Sequence, residues 1–491
     1  MAAPTEFQTQ LFLNNEYVDA KSAETLTVIN PYDGKAIPAA IQVAGPEDVD
    51  LAVQYARAAF TTGPWSKYTG FQRAACMNKF ADLIEKHAGE IAKLDTICMG
   101  QPVSVTTHGA IPEVVKCYRY YAGWADKIEG ESFAAEDGTY RIVQHSPLGV
   151  CAGIAPWNFP IIYVGWKCAP ALAAGNTFIF KSSEKSPLSA LFLGNLVKEA
   201  GFPPGVLQFI SGDGKVGSLL ASHMKIDKIS FTGSTSTGKI VQRSALNSNM
   251  KRCTLELGGK SPALVFADAG IANAVGSTAD GFLSNAGQVC AAASRVFIQE
   301  SIAPAFIEAM KARFAEASTK LGSNPLDPTT IHGPLADEKQ FDRVMSYIDI
   351  GKEGAAPIIG GTRSEAKGLF IDPTIFVDPN KDNKAYREEI FGPVLNVKTF
   401  KTEEEAIELA NDTNTGLSAA IYTSDIGRAL RLAGKIESGN VSINTPHFPS
   451  YNVPFGGWKD SGSGQELGKY GLQSYLRTKS VHINLKLEAK L

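Results

Sequence analysis

From Gly149 onward, short apolar runs alternate with stretches of helical periodicity, and no other feature limits the fold so tightly. Residues 150–155, 177–180, 206–210 and 228–231 read as strands, with a helical stretch at 187–200 and a strand-to-helix turn at Gly233 between successive units. Strands joined through helices cannot meet as hairpins. They lie side by side in parallel, with helices covering both faces of the sheet. Residues from about 260 to 460 repeat the alternation with longer helices, such as 302–318 and 336–350. The expected class is therefore α/β, built from two doubly wound parallel-sheet domains. No Pro/Ser-rich linker separates them, so they should pack tightly.

Ahead of this region, residues 11–18 alternate and then turn, as an edge hairpin does. Pro46-Glu-Asp48 opens an amphipathic helix to 60, a second runs over 71–87, and a long third over 103–128 is kinked or split by Pro112. Residues 141–144 and 480–487 look like isolated strands that could leave the body and join a neighbouring subunit's sheet. The 491 residues, 44% apolar and 20% charged, can bury large cores without metal or disulfide staples. A net charge of −3 with no dense basic tract argues against nucleic acid as a partner. The seven cysteines form no Cys-x-x-Cys pair and have no His cluster beside them, which argues against a metal site and for a reducing compartment. The N-terminus lacks the basic start and apolar core of a secretory signal. The most membrane-like run, 149–166, holds Pro156, Asn158 and Pro160 and reads as buried chain, so no membrane partner is expected. The terminal Ala489-Lys490-Leu491 is a conservative variant of a peroxisomal address, which leaves cytoplasm and peroxisomal matrix both open for a soluble protein.

The chemistry centres on Asn285-Ala-Gly-Gln-Val-Cys290, followed by Ala291, Ala292 and Ala293. A thiol with small neighbours can be approached by a small molecule, and its thiolate is a strong nucleophile. Most lone cysteines are merely small buried hydrophobes, so the company Cys290 keeps decides the reading. Gly212-Asp-Gly-Lys-Val-Gly217 imitates a dinucleotide fingerprint, but the next strand has its acid, Asp227, at the start and not at the end, so the loop reads as a strand–helix turn. Glu184 suits cofactor binding better: just after strand 177–180, it can accept from ribose hydroxyls and would repel a 2′-phosphate, favouring NAD over NADP. Gly233-Ser-Thr-Ser-Thr-Gly238 puts backbone N–H groups and hydroxyls at a helix N-terminus, where a pyrophosphate can bind.

Six motifs then occur in order: Pro156-Trp-Asn-Phe-Pro160, Phe231-Thr-Gly-Ser234, Leu255-Glu-Leu-Gly-Gly-Lys-Ser-Pro262, Gly287-Gln-Val-Cys290, Glu388-Glu-Ile-Phe-Gly-Pro393 and Pro454-Phe-Gly-Gly-Trp-Lys-Asp-Ser-Gly462. In this order and spacing the chain resembles the aldehyde dehydrogenase superfamily along essentially its whole length. The resemblance implies NAD-dependent, non-phosphorylating oxidation of an aldehyde to an acid. Cys290 would be the nucleophile, Asn158 the oxyanion donor and Glu256 the general base that activates water, with Lys167 and Glu466 relaying the proton outward. It implies Lys181 and Glu184 at the adenosine ribose, Trp157, Gly233, Ser234, Gly238 and Leu257 around the phosphates and groove, and Glu389 and Phe391 at the nicotinamide ribose. It also implies a Rossmann-like cofactor domain (1–125 and 148–258), a catalytic domain (259–465), a small β oligomerisation arm (126–147 and 475–491) and a homotetramer built from dimers.

Two departures matter. Ser182 stands where the family often has proline, which could loosen the turn holding Glu184. Val289 and Ala291 flank the nucleophile where several relatives carry further cysteines. Phe159, Tyr163, Trp166, Val289 and Phe455, with His447 in the 444–451 loop, should wall an apolar tunnel that favours apolar or aromatic aldehydes. A CoA-acylating variant would typically lack Glu256, and a repurposed scaffold would be expected to lose Cys290, Glu256 or Asn158; all three are present.

Overall fold

The computed structural model describes residues 4–446 and 449–486. Its first large sheet contains all four expected strands, as Val150–Ile154, Thr177–Lys181, Leu207–Ile210 and Lys228–Thr232, and a fifth, Arg252–Glu256. These five are parallel, and numbered along the chain they lie in the order 3-2-1-4-5. Every residue of the first four is buried, as expected of strands covered on both faces. The order reverses between Val150–Ile154 and Lys228–Thr232, and in such sheets a crevice opens beyond the carboxyl ends at that point. The hairpin Leu11–Leu13 and Glu16–Val18 closes one edge, with Phe12 opposite Phe209. Gly462–Ser463 closes the other and pairs Gly462 with Glu256.

The second sheet has seven strands. Pro262–Val265, Arg295–Gln299, Thr374–Val377, Val394–Phe400, Ser418–Tyr422 and Asn440–Ile443 are parallel, and Pro357–Ile359 is an antiparallel edge. The expected α/β class with two doubly wound sheets is the observed one.

The first two helices are Pro46–Thr61 and Gly70–Lys86, the latter opened by a Thr69/Gln72 capping box. A helix at Ala88–Met99 follows at once, unanticipated because its residues carry no polar stripe to reveal a period. The long third helix is corrected: it ends at Ala122, and ahead of Ile111–Ala122 the chain opens into a π-turn at Thr106–Ala110. Pro112 has no N–H to return to the carbonyl four residues back, so the adjoining turn widens.

The two strands expected to be isolated are not isolated within the chain. Thr139–Pro147 and Leu476–Asn484 pair with each other, Val143 opposite Ser480, and with Glu131–Glu136 form a three-stranded antiparallel sheet within one chain. The terminal tripeptide and His447 lie outside the described residues. Among those residues no helix is long and apolar enough to cross a membrane.

Candidate active site

Cys290 is delivered by a strained turn. After the helix Ile271–Leu283, residues Asn285, Ala286 and Gly287 take φ of 49°, 54° and 72° in succession. Left-handed backbone costs about 1–2 kcal/mol at each residue with a Cβ, so the surroundings must hold it. The Asn285 side-chain amide donates to Asn158 O (3.0 Å), Gln288 N and Nε2 both donate to Asn285 O, and Gln288 Oε1 accepts from Ala336 N (3.0 Å). Gly287 is obligatory, because a Cβ there would lie 2.4 Å from Gly392 O.

The turn sets Cys290 where two cavities meet. One, of about 550 Å³, is walled by Phe159, Tyr163, Trp166, Val289 and Phe455. The other, of about 450 Å³, opens beyond the carboxyl ends of the first sheet's strands at the order reversal and is lined by Trp157, Asn158, Gly233, Ser234, Glu256, Leu257, Glu389 and Phe391. Cys290 and Tyr163 belong to both.

The charges around the thiol are buried. Glu256 ends its strand in register with Thr232, is 2% exposed, and neither carboxyl oxygen has a hydrogen-bond partner among the described residues. Burial first, then the charge of Glu466, holds the Glu256 carboxyl well above the usual carboxylate range. Burial, then Glu389 and Glu256, push the Cys290 thiol up to about 12. Lys167, on the π-turn Val164–Cys168, donates to Glu466 (2.6 Å), Thr232 (2.7 Å) and Ser230 (3.0 Å), and Ser230 donates to Glu466 (2.7 Å). A buried ion pair thus stands on the strand beside Glu256. Asn158 donates from Nδ2 to Gln288 O (3.0 Å), and its Oδ1 accepts from Tyr163 (3.1 Å).

On the other wall of the 450 Å³ groove, Ser234 caps the helix Thr235–Asn247 and accepts from Thr237 N. Burial raises the Glu389 carboxyl to about 7, and its Oε1 accepts from Gly259 N (3.0 Å). Gly258 is needed for that approach, since a Cβ would meet Glu389 Oε2 at 2.2 Å. Phe391, at φ 64°, stands edge-on to Trp157 at 5.5 Å. Three expected residues lie off the groove wall. Gly238 instead lets its helix approach Leu257, whose Cδ2 would be 2.5 Å from a Cβ. Lys181 is buried with Nζ 3.6 Å from the half-exposed Glu184, on the turn that continues to Lys185. Ser182 does not loosen that turn: its N–H, which a proline would lack, donates to Ile210 O (3.3 Å). Lys185 lies over the Trp157 ring and pairs with Asp337 of the second sheet's unit.

Sequence reasoning missed Gln340 and Arg343, one turn apart on the helix Glu338–Gly354, which hold the 389–391 backbone by donating to Phe391 O (2.7 Å) and Glu389 O (2.8 Å). It also missed the tunnel rim, where Lys116 pairs with Glu113 (2.8 Å) near Tyr451. Nothing in sequence separates either set from a solvated helix face. The expected aromatic wall is assembled, with Tyr163 to Trp166 at 5.9 Å and Trp166 to Phe455 at 5.2 Å.

The family model described as the aldehyde dehydrogenase family matches residues 17–481. An aldehyde dehydrogenase of Alternaria alternata is 44% identical over 98% of this chain and 96% of its own. The human mitochondrial aldehyde dehydrogenase is 44% identical over 98% of this chain and 93% of its own. Among solved structures, an indole-3-acetaldehyde dehydrogenase of P. syringae in complex with NAD+ and IAA superimposes with a TM-score of 0.94 at 39% identity, covering 98% of this chain and 97% of the other. The chain belongs to the aldehyde dehydrogenase family.

Proposed function

We propose that this aldehyde dehydrogenase uses NAD and works through a thioester on Cys290. The observation that carries the reading is that, among the described residues, Cys290 and Tyr163 line both cavities. An aldehyde entering by the aromatic tunnel and a nicotinamide entering by the groove can reach opposite sides of one sulfur.

The groove suits the cofactor: it lies at the strand-order reversal, offers a helix N-terminus at Ser234, and its glycine-lined floor admits Glu389. Trp157 and Ser234 would hold the phosphates, Gly233 and Leu257 would line the groove beside them, and Glu389 and Phe391 would hold the nicotinamide ribose, with Gln340 and Arg343 fixing the backbone of the last two. The relative solved with NAD+ supports this choice. Lys181 and Glu184 would hold the adenosine ribose, and the Glu184 carboxylate disfavours a 2′-phosphate, hence NADP. When bound, the nicotinamide supplies the hydride acceptor.

The thiol proton passes to Glu256 as Cys290 Sγ bonds to the aldehyde carbon, and the resulting oxyanion accepts from Asn158 Nδ2 and the Cys290 N–H. Each such donor is worth about 3 kcal/mol in the transition state. Once the substrate is oxidised, Cys290 carries the acyl group as a thioester. Glu256, after passing the thiol proton outward, takes a proton from water, the hydroxyl adds to the acyl carbon, and the C–S bond breaks to release the acid and leave the Cys290 thiolate. Lys167 and Glu466 take the proton onward. The apolar wall favours apolar or aromatic aldehydes.

We read 1–125 and 148–258 as the cofactor domain, 259–465 as the catalytic domain, and 126–147 with 475–491 as an oligomerisation arm of a homotetramer. Ala489-Lys490-Leu491 keeps the peroxisomal matrix open beside the cytoplasm. The test is NADH formation across short aliphatic, long aliphatic and aromatic aldehydes, by the wild type and by Cys290→Ser. The variant should fold and bind NAD without turnover; retained turnover would sink the mechanism.

A further inference from the structure

We propose that Tyr163 is a positioning residue for the oxyanion donor: its hydroxyl, together with Gln288 O, fixes which way the Asn158 carboxamide faces. The proposal rests on the reading of Asn158 given above. A side-chain amide turns about a broad, two-fold terminal torsion, so its nitrogen and oxygen exchange places at little intrinsic cost. The wrong face would aim Oδ1 at the developing negative oxygen. Gln288 O can only accept, so it selects Nδ2, which lies 3.0 Å away. That leaves Oδ1 buried, because Asn158 is 2% exposed, and the hydroxyl of Tyr163 satisfies it at 3.1 Å. One Nδ2–H is committed to Gln288, and the second is the one left for the oxyanion. Donation into Oδ1 also polarises the amide and strengthens the N–H that remains.

The ring itself cannot wander. Tyr163 ends the short helix Pro160–Tyr163 as it widens into the π-turn Val164–Cys168, is 3% exposed, and packs against Trp166 at 5.9 Å, with Lys167 Nζ 5.7 Å from its centroid. Burial also keeps the phenol protonated across the working pH range, so it stays a donor. Tyr163 also lines both cavities together with Cys290, and its hydroxyl meets Asn158 Oδ1.

Tyr163→Phe removes the hydroxyl and keeps the ring. The rate of the NADH burst in single-turnover stopped flow should fall about tenfold, as expected for one buried hydrogen bond, with KM for the aldehyde changed by less than about twofold. Asn158→Ala should lose more, and the double variant should lose no more than Asn158→Ala alone, because Tyr163 would then have nothing to position. Asn158→Ser serves the same cycle if the alanine variant does not fold. An unchanged burst in Tyr163→Phe, a change in KM alone, or additive losses in the double variant would each overturn the positioning role while leaving Asn158 as the donor. An undiminished burst in a folded Asn158 variant would bring down the oxyanion reading and this inference together.

Discussion

Glu256→Gln isolates the proposed base without disturbing volume, and its size of effect can be worked from the burial around Cys290. With the thiol held near 12, unaided ionisation at pH 7 leaves on the order of one thiolate in 100,000. The Glu256 carboxyl has no hydrogen bond to lose among the described residues, so glutamine should fit without breaking one. Two effects then oppose each other. Loss of the base throws deprotonation onto solvent hydroxide, while loss of the Glu256 charge lets the Cys290 thiol fall somewhat from its raised value, since that charge is one of its causes. The first wins, because general bases typically contribute about 100- to 10,000-fold, and the fall in the thiol recovers only part of it. The acylation phase, read as the NADH burst, should therefore drop by about that range at pH 7. In the variant it should climb roughly tenfold per pH unit from about pH 6 to 9, where the wild type rises only until Glu256 has ionised. Iodoacetamide alkylation of Cys290 gives an independent check, with its pH midpoint lower in the variant. A burst reduced less than about tenfold, or one flat with pH in the variant, would refute the argument.

Two further outcomes follow from the same geometry. The Glu389 carboxyl is raised from 4.5 to about 7, so the folded chain binds the extra proton between those values; its stabilising share is full below pH 4.5 and is lost as pH climbs to 7. At ~1.36 kcal/mol per pH unit, Glu389→Gln should make the cofactor-free protein more stable than wild type by about 3 kcal/mol above pH 7, with no gain at pH 4, read as melting temperatures at both. A gap that does not change with pH would contradict this. Gly287→Ala meets both a left-handed φ of 72° and a carbonyl 2.4 Å from the new Cβ, so it should cost at least about 2 kcal/mol and lower soluble yield. Wild-type melting would refute it.

The parallel sheets were legible because strands covered on both faces become unbroken apolar runs, and Val150–Ile154 and Thr177–Lys181 are buried at every residue. The helix Ala88–Met99 was not, since burial nearly all round removes the periodicity that marks an amphipathic face. Cys290, Glu256 and Asn158 could be singled out because each sits in a motif. Gln340 and Arg343 could not, because their value lies in reaching the 389–391 backbone from a helix about fifty residues away in sequence. Gly238 was legible as a glycine in a strand–helix turn, whereas its close approach to Leu257 was not. The Tyr163–Asn158 contact depends on where the short helix carrying Tyr163 is aimed, which spacing in the chain does not disclose.

The meeting of two chambers at one sulfur has a consequence for traffic. On the proposed reading, aldehyde and nucleotide have separate doorways, so neither need queue behind the other, and the acid could leave by its own passage. Widening or narrowing the aromatic passage would then retune what is oxidised without renegotiating how the nucleotide is held. A lineage can change its diet this way while keeping its currency.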